Sequence, residues 1–437
     1  MKIKTMWGLG LVTALAAPFC LAAPTAITGA NIVNSQGAIE EGVTIIVDQG
    51  TIQAIGENIP VTDEMDLIDA EGRWVTSGFV AASGNLGLEE VGAVGDSVDT
   101  RTKHAQLTAA FEVADAFNAA STLIPVARTE GLTSALIMPS LSNDGDEGGY
   151  DRIFAGTAAL ADLSGQLESI RVRSAAVVAY LGDRGKDAAG GSRAAAVAGL
   201  RAALEAGKLY NESGTVTKRY ALPEALEGAP FSVEDVQQFA LVESRKLPLL
   251  VHADRVADIA QALKIQQQFG IRMVIIGGAE AWKLGAQLAQ ANIGVILNGE
   301  NNLPVSFDHL GARLDSAAIL SRAGVEIAFS GENATTHNAR NMRQVAGLAV
   351  AHGLQWEQAI RALSRSAAGL LGFDADVGQL QAGAIADLVV WDGDPLELDT
   401  YPSHVFIRGE VMDLSNRQTK LRDRYLDLKS ELPPAYR

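Results

Sequence analysis

The sequence predicts an α/β protein, a (β/α)8 TIM-type barrel with a small composite β-sandwich domain formed by both chain ends. Three observations predict it. Four consecutive strand–helix units run from Leu249 to His352. A β-rich segment lies toward each end of the chain and flanks this long middle. The length of 437 residues suits one barrel of roughly 250 residues plus a smaller domain. A doubly wound α/β sheet is the alternative for the middle. The sequence offers no glycine fingerprint for a dinucleotide and no phosphate loop to favour it.

Residues 1–22 read as a cleavable signal peptide. Lys2 and Lys4 precede an apolar stretch from Met6 to Ala17, and Cys20-Leu21-Ala22-Ala23 supplies small residues at a cleavage point. The apolar stretch is too short for a membrane span. Cys20 is the only cysteine, so cleavage leaves no disulfide and no thiolate chemistry in an oxidising compartment. A periplasmic or secreted destination is expected. The formal net charge of −17 repels phosphate backbones, so nucleic acid is not an expected partner. No later segment holds about 18 uninterrupted apolar residues, and no membrane span is expected.

Residues 23–76 form the N-terminal part of the composite domain. Val43 to Val47 is β-branched, Asp48-Gln49-Gly50-Thr51 is a turn signal, and Ile52 to Ile55 alternates. The barrel is expected over 77–372. Its early strands are Thr133 to Met138 and Ser174 to Leu181, with Ala-rich helices from Ala194 to Ala206 and Val233 to Lys246. Strands then open at Leu249, Met273, Val295 and Glu326, each followed by a helix, the alternation of a parallel sheet. Pro139–Gly149 and Leu181–Gly191 read as long mouth loops. Residues 373–412 return to β structure through Ala386 to Trp391 and Val405 to Ile407, and 413–437 form a tail.

The run Gly378 to Pro395, with Ala386-Asp387-Leu388-Val389-Val390-Trp391 at its centre, resembles the closing β segment of the amidohydrolase superfamily. Pro248 to Ala253 is similar to that family's fifth barrel strand, with a histidine at 252. Gly278 to Lys283 is similar to the turn after strand six, and Val126 to Thr133 to the helix before an early strand. The resemblance runs from about residue 25 to 412 and is to the imidazolonepropionase-like and prolidase-like members. It implies hydrolysis of non-peptide C–N bonds or dipeptides, by metal-activated water. It also implies metal ligands at the strand ends: a His-x-His on strand one, single histidines on strands five and six, and an aspartate on strand eight. Alternate strand residues share a face, so two histidines one residue apart can meet one ion.

At the positions that match, strand one, Ser77 to Leu86, carries Ser83 and Asn85, which are weak ligands for zinc. Strand six has Gly277, and strand eight has Gly331 or Glu332 where the aspartate belongs. Strand four has no lysine, and only His252 remains of the usual ligands. The histidine spacing agrees independently of any family. The six histidines are 104, 252, 309, 337, 352 and 404, and none forms a His-x-His pair. No metal is therefore expected, and Ser83, Asn85, His252, Gly277 and Glu332 are vestigial ligand positions. A mononuclear zinc site rebuilt from His252, His337 and Glu332 is the alternative.

Each candidate has a plainer reading. His252, Ser83, Asn85 and Arg340 are candidate ligand-binding residues at the mouth; a packed or vestigial role competes for His252. Glu332 and His337 are the catalytic candidates, against a solvated loop carboxylate and an ordinary helix start. His352 reads as a helix C-terminal residue. His104, His309 and His404 read as surface or packing residues. Asp144-Gly145-Asp146-Glu147 lacks the spacing of a calcium loop. Glu89 and Glu90 are adjacent and point apart. The expected function is a secreted amidohydrolase-like protein without its binuclear metal site, binding a small molecule in the barrel mouth or partnering an active paralogue or another copy of itself. A residual hydrolase and an envelope scaffold are the alternatives.

Overall fold

The computed structural model describes residues 23–34, 37–104, 107–141, 150–213, 226, 228–300, 302–330, 336–373 and 377–426. The expected signal peptide and the acidic run 144–147 lie outside these.

Both chain ends build one sheet. β1 (Thr25–Val33), β2 (Ile39–Asp48), β3 (Thr51–Gly56), β4 (Asp66–Asp69) and β5 (Trp74–Ser77) come from the N-terminal part. β14 (Leu388–Trp391), β15 (Pro402–Ile407) and β16 (Glu410–Val411) come from the C-terminal part. They pair in the order β16-β15-β14-β5-β1-β2-β3, with β4 alongside β1. The predicted turn after β2 forms: Gln49 and Gly50 both have positive φ, 47° and 79°, as a two-residue turn of type I′ requires. Gly50 also has no room for a side chain, because a Cβ there would stand 3.0 Å from the Arg408 carbonyl oxygen.

The second sheet is the barrel wall. Its strands are β6 (Phe79–Ala81), β7 (Leu132–Ile137), β8 (Phe154–Asp162), β9 (Ile170–Tyr180), β10 (Leu249–Ala253), β11 (Met273–Gly277), β12 (Gly294–Leu297) and β13 (Ile327–Phe329). They hydrogen-bond in sequence order from β6 to β13. Between them lie α1 (Ile124–Arg128), α2 (Gly182–Ala188), α3 (Arg193–Glu212), α4 (Val233–Glu243), α5 (Val256–Phe269), α6 (Gly285–Gln290) and α7 (Ser316–Arg322). After β13 come α8 (Met342–Ala351), α9 (Trp356–Leu363) and α10 (Arg365–Leu371), with α11 (Arg417–Leu426) near the C-terminus. Helix α10 contacts both β13 and β6, and so lies where the wall would close.

Three expectations are corrected. The barrel is not wholly parallel, because β8 is antiparallel to β7 and to β9. The link from Asp162 to Ile170 is too short for a crossover and can only make a hairpin. β8 is buried along its whole length, so it lacks the alternation that would have marked it. Leu181–Gly191 is not a loop, since most of it is helix α2. Strand one is short: β6 ends at Ala81, so Ser83 and Asn85 sit in the turn beyond it and the two-residue strand period does not apply to them.

Alternation sets which residues face inward. Leu250, Val274, Ile276, Ile296 and Ala328 share one buried cluster inside the wall, while Leu249, Val251, Ile275, Val295 and Phe329 pack toward the helices. His252 continues the inward series of Leu250.

The two sheets join at Trp391. This ring is fully buried, donates from Nε1 to Thr76 Oγ1 at 3.0 Å and lies 5.3 Å from the Phe79 ring. Arg343 on α8 is also buried. It pairs with Glu130 at 2.6 Å and donates to the carbonyls of Pro395, Glu397 and Thr400.

Candidate functional site

His252 lies near the C-terminal end of β10, as the sequence predicts. Its ring stacks on Tyr180, centroids 4.0 Å apart and planes within 5°. The guanidinium of Arg184 also lies over the Tyr180 ring, at 4.7 Å. Burial, assisted by the Arg184 charge, holds the imidazole pKa down to about 3. The ring is therefore neutral at physiological pH, and its Nε2 is buried without a hydrogen-bond partner among the described residues. Burial also pushes the Tyr180 phenol up.

The other predicted positions differ in their surroundings. Ser83 is buried, with no partner for its Oγ among the described residues. Asn85 is tied down, its Nδ2 donating to Glu89 Oε2 at 2.9 Å. Glu90 instead takes the Thr122 hydroxyl at 3.0 Å. His337 is exposed, and Arg340 Nη1 donates to Gln418 Oε1 of α11 at 3.2 Å. Glu332 and Gly331 lie outside the described residues. His352 is the C-cap residue of α8, its Nδ1 2.8 Å from the Leu348 carbonyl oxygen. His404 sits on β15, with Nδ1 3.2 Å from Ser403 Oγ.

Gly277 shows why its position carries no ligand. Its φ is +94°, and a Cβ there would stand 2.4 Å from Asp254 Oδ1. The Asp254 carboxylate fills the space a side chain at 277 would need. It accepts the Ala279 N–H at 3.2 Å and faces His309 Nε2 at 3.5 Å. Burial pushes the Asp254 carboxyl up, and the neighbouring His309 and the Ala279 N–H oppose that. His309 Nδ1 lies 2.8 Å from Ser306 Oγ.

In the sequence His309 reads only as a surface or packing residue. The structure brings it to the strand ends because the next residue back is anchored. Asp308 is buried, takes the Asp183 N–H at 2.8 Å and pairs with Arg193 at 2.7 Å. Arg193 also pairs with Asp183 and Asp258, so one guanidinium ties α2, α3, α5 and the β12–α7 loop together. Asp254, Gly277, Asn298 and His309 line a cavity of about 20 Å3, room for about one water molecule. The Asn298 Oδ1 is buried without a partner among the described residues. Asp254 follows His252 by two residues, which is the one signal in the sequence that it shares the mouth.

Residues 248–415 match the amidohydrolase family profile. The imidazolonepropionase of Maricaulis maris is 26% identical over 191 residues, 43% of this chain and 46% of that protein. That of Agrobacterium fabrum is 30% identical over 185 residues, 39% of this chain and 41% of that one. Among solved structures, an amidohydrolase from Thermotoga maritima superposes with a TM-score of 0.76 at 24% identity, covering 89% of this chain and 99% of the other. Residues 248–415 thus carry an amidohydrolase-family segment, on a fold shared with the solved amidohydrolase. The curated matches to this segment are similar to imidazolonepropionases. The alignments span less than half the length of these curated relatives.

The amidohydrolase fold implies a metal centre, and the described residues do not fit one. Ser83 and Asn85 are poor donors for zinc, Asn85 is engaged by Glu89, and the Gly277 space belongs to Asp254. Among the described residues, no group of three or more His, Cys, Asp or Glu side chains could hold an ion. Also among them, no helix is long and apolar enough to cross a membrane.

Proposed function

We propose that this chain is a ligand-binding amidohydrolase that works without the binuclear metal centre and takes a small amide-like or dipeptide-like molecule at the barrel mouth. It acts in the periplasm or outside the cell, after loss of residues 1–22. One observation carries the reading: the Asp254 carboxylate stands where the strand-six ligand would need to be. A metal-first design leaves that space to imidazole. His252 supports it, since a neutral ring whose Nε2 has no partner among the described residues is suited to a hydrogen bond with an amide. The ligand class comes from what the relatives are named for, imidazolonepropionase and prolidase.

Two measurements on the purified full chain test this. Elemental analysis is expected to find no stoichiometric zinc, and small cyclic amides or prolyl dipeptides are expected to raise the melting temperature. About one tightly bound zinc per chain, lost in His252→Ala, would sink the reading.

A second reading, an altered hydrolase, is favoured by the Asp254–His309 pair, since a carboxylate beside an imidazole is the arrangement of an oriented general base. It differs from the first in requiring turnover that survives chelators and is lost in both Asp254→Asn and His309→Gln.

A further inference from the structure

The turn between β12 and α7 carries a serine hydroxyl at the His309 ring nitrogen that Asp254 leaves free. Ser306 Oγ lies 2.8 Å from His309 Nδ1, and His309 Nε2 lies 3.5 Å from Asp254 Oδ2. A hydroxyl, an imidazole and a carboxylate thus follow one another across the ring. A serine nucleophile needs this order: a base within hydrogen-bond reach, held in turn by a third group. Val305-Ser306-Phe307 has no glycine on either side, so no sequence pattern points to this serine.

Two parts of the chain build the arrangement. Ser306 is the N-cap and His309 the last residue of one 3-10 turn, Phe307–His309, where side chains three apart lie one above the other. Ser306 Oγ also accepts the Asp308 N–H at 3.2 Å, an ordinary capping bond. That bond occupies one lone pair. It leaves the hydroxyl proton for the imidazole and the second lone pair for attack. Capping accounts for a Ser–His contact inside one turn, but not for the third member, which arrives from just after β10. Asp308 fixes the turn against Asp254, because Arg193 and the Asp183 N–H both hold its carboxylate.

The surroundings suit an acyl substrate. Leu303, Val305, Phe307 and Leu310 bracket the turn and are all exposed, Phe307 to 83%. Single exposed apolar residues are ordinary, whereas a run of them marks a contact surface. Ser306 itself is half-buried. The cavity of about 20 Å3 lined by Asp254, Asn298 and His309 has room for about one water beside the same imidazole.

We propose that Ser306 is a nucleophile, with His309 its base and Asp254 the positioning residue that holds the ring, and that the trio hydrolyses esters of apolar carboxylic acids. The proposal rests on the hydrolytic second reading, whose Asp254–His309 pair it uses, and adds the atom that forms the bond. The Asp254 carboxylate keeps the ring proton on Nε2, so Nδ1 is the acceptor. Ser306 Oγ attacks the ester carbonyl carbon while its proton passes to Nδ1. The C–O bond to the alcohol then breaks, and the departing oxygen takes that proton. Water next adds to the acyl-serine and gives one proton to Nδ1. The bond from Oγ to the acyl carbon breaks, Oγ recovers the proton, and the carboxylic acid leaves.

The test treats the full chain, with chelator present, with an alkyl p-nitrophenyl phosphonate and separately with p-nitrophenyl acetate and hexanoate. Tryptic mass spectrometry is expected to find the phosphonyl adduct on Ser306, and the hexanoate is expected to turn over faster than the acetate. The adduct is read on the unmutated chain and does not depend on any variant folding. Ser306→Asn keeps an acceptor for the Asp308 N–H and removes the nucleophile. It and His309→Gln are each expected to lose roughly 10²–10⁴-fold in kcat. Asp254→Asn is expected to lower kcat by about tenfold or more with KM unchanged. No adduct on Ser306, or turnover kept in Ser306→Asn, overturns the nucleophile; if His309→Gln still abolishes turnover, the general-base reading survives that failure. No turnover in the unmutated chain sinks both. A raised KM with unchanged kcat in Asp254→Asn overturns its positioning role, and equal rates for the two esters overturn the apolar class.

Discussion

Replacing Gly277 by alanine is the most direct test of how the mouth is built. Two costs add. The backbone at 277 has φ +94°, and a left-handed conformation costs an L-residue roughly 1–2 kcal/mol. The new Cβ would also lie 2.4 Å from Asp254 Oδ1 and 3.0 Å from its Cγ, so the carboxylate must turn away. Turning gives up the Ala279 N–H at 3.2 Å and the His309 contact at 3.5 Å, about 1 kcal/mol each. Gly277→Ala is therefore expected to destabilise the protein by about 3–4 kcal/mol. Urea unfolding followed by far-ultraviolet circular dichroism measures it. The clash is separated from the strain by repeating the change in an Asp254→Gly background, where only the backbone cost of roughly 1–2 kcal/mol remains. A coupling of about 2 kcal/mol between the two sites follows. A cost below about 0.5 kcal/mol in the wild-type background, within the noise of additivity, refutes the reasoning. So does an equal cost in both backgrounds, which would mean that Asp254 does not hold that space.

Two further predictions concern the joints around the barrel. Arg343→Met removes a buried guanidinium and leaves Glu130 unpaired along with three carbonyls; a loss of about 3–5 kcal/mol is expected by denaturant unfolding, and a loss below 1 kcal/mol contradicts it. Asp387 is buried, accepts the Arg408 N–H at 2.7 Å, and has its Oδ2 only 3.7 Å from Arg171 Nη2. Burial pushes its carboxyl up to about 6, against the pull of Arg171. A raised carboxyl binds its proton more tightly in the folded state, so its stability contribution is full below the unfolded value near 4 and is lost as pH rises through 6. Asp387→Asn is thus expected to gain about 3 kcal/mol relative to wild type between pH 4 and 7, and urea midpoints that stay parallel across that range would count against it.

How much was legible varies along the chain. The four units from β10 to α8 announce themselves because a short apolar strand followed by an amphipathic helix has a readable period. The hairpin at Gln49-Gly50 was legible because its positive φ values demand turn residues. β8 was not legible, since a strand buried on both faces loses the alternation that identifies it. At the site, His252 could be placed from its strand alone, and Ser83, Asn85 and Gly277 could be named only as positions lacking a ligand. The reason for the vacancy at 277 lay in Asp254, whose carboxylate direction depends on the turn after β10 and on the Ala279 N–H. His309 could not be placed beside Asp254 from the sequence, because what brings it there is the ion-pair hub on Arg193.

The sequence by itself determined the barrel, the composite sheet and the absence of paired histidines, because each of these follows from local periodicity or from residue identity. Only the tertiary structure decided what stands in place of the missing ligands, and that one guanidinium, Arg193, gathers Asp183, Asp258 and Asp308 from separate elements. Those facts depend on which side chains converge in space, and convergence between distant elements leaves no local pattern in the chain.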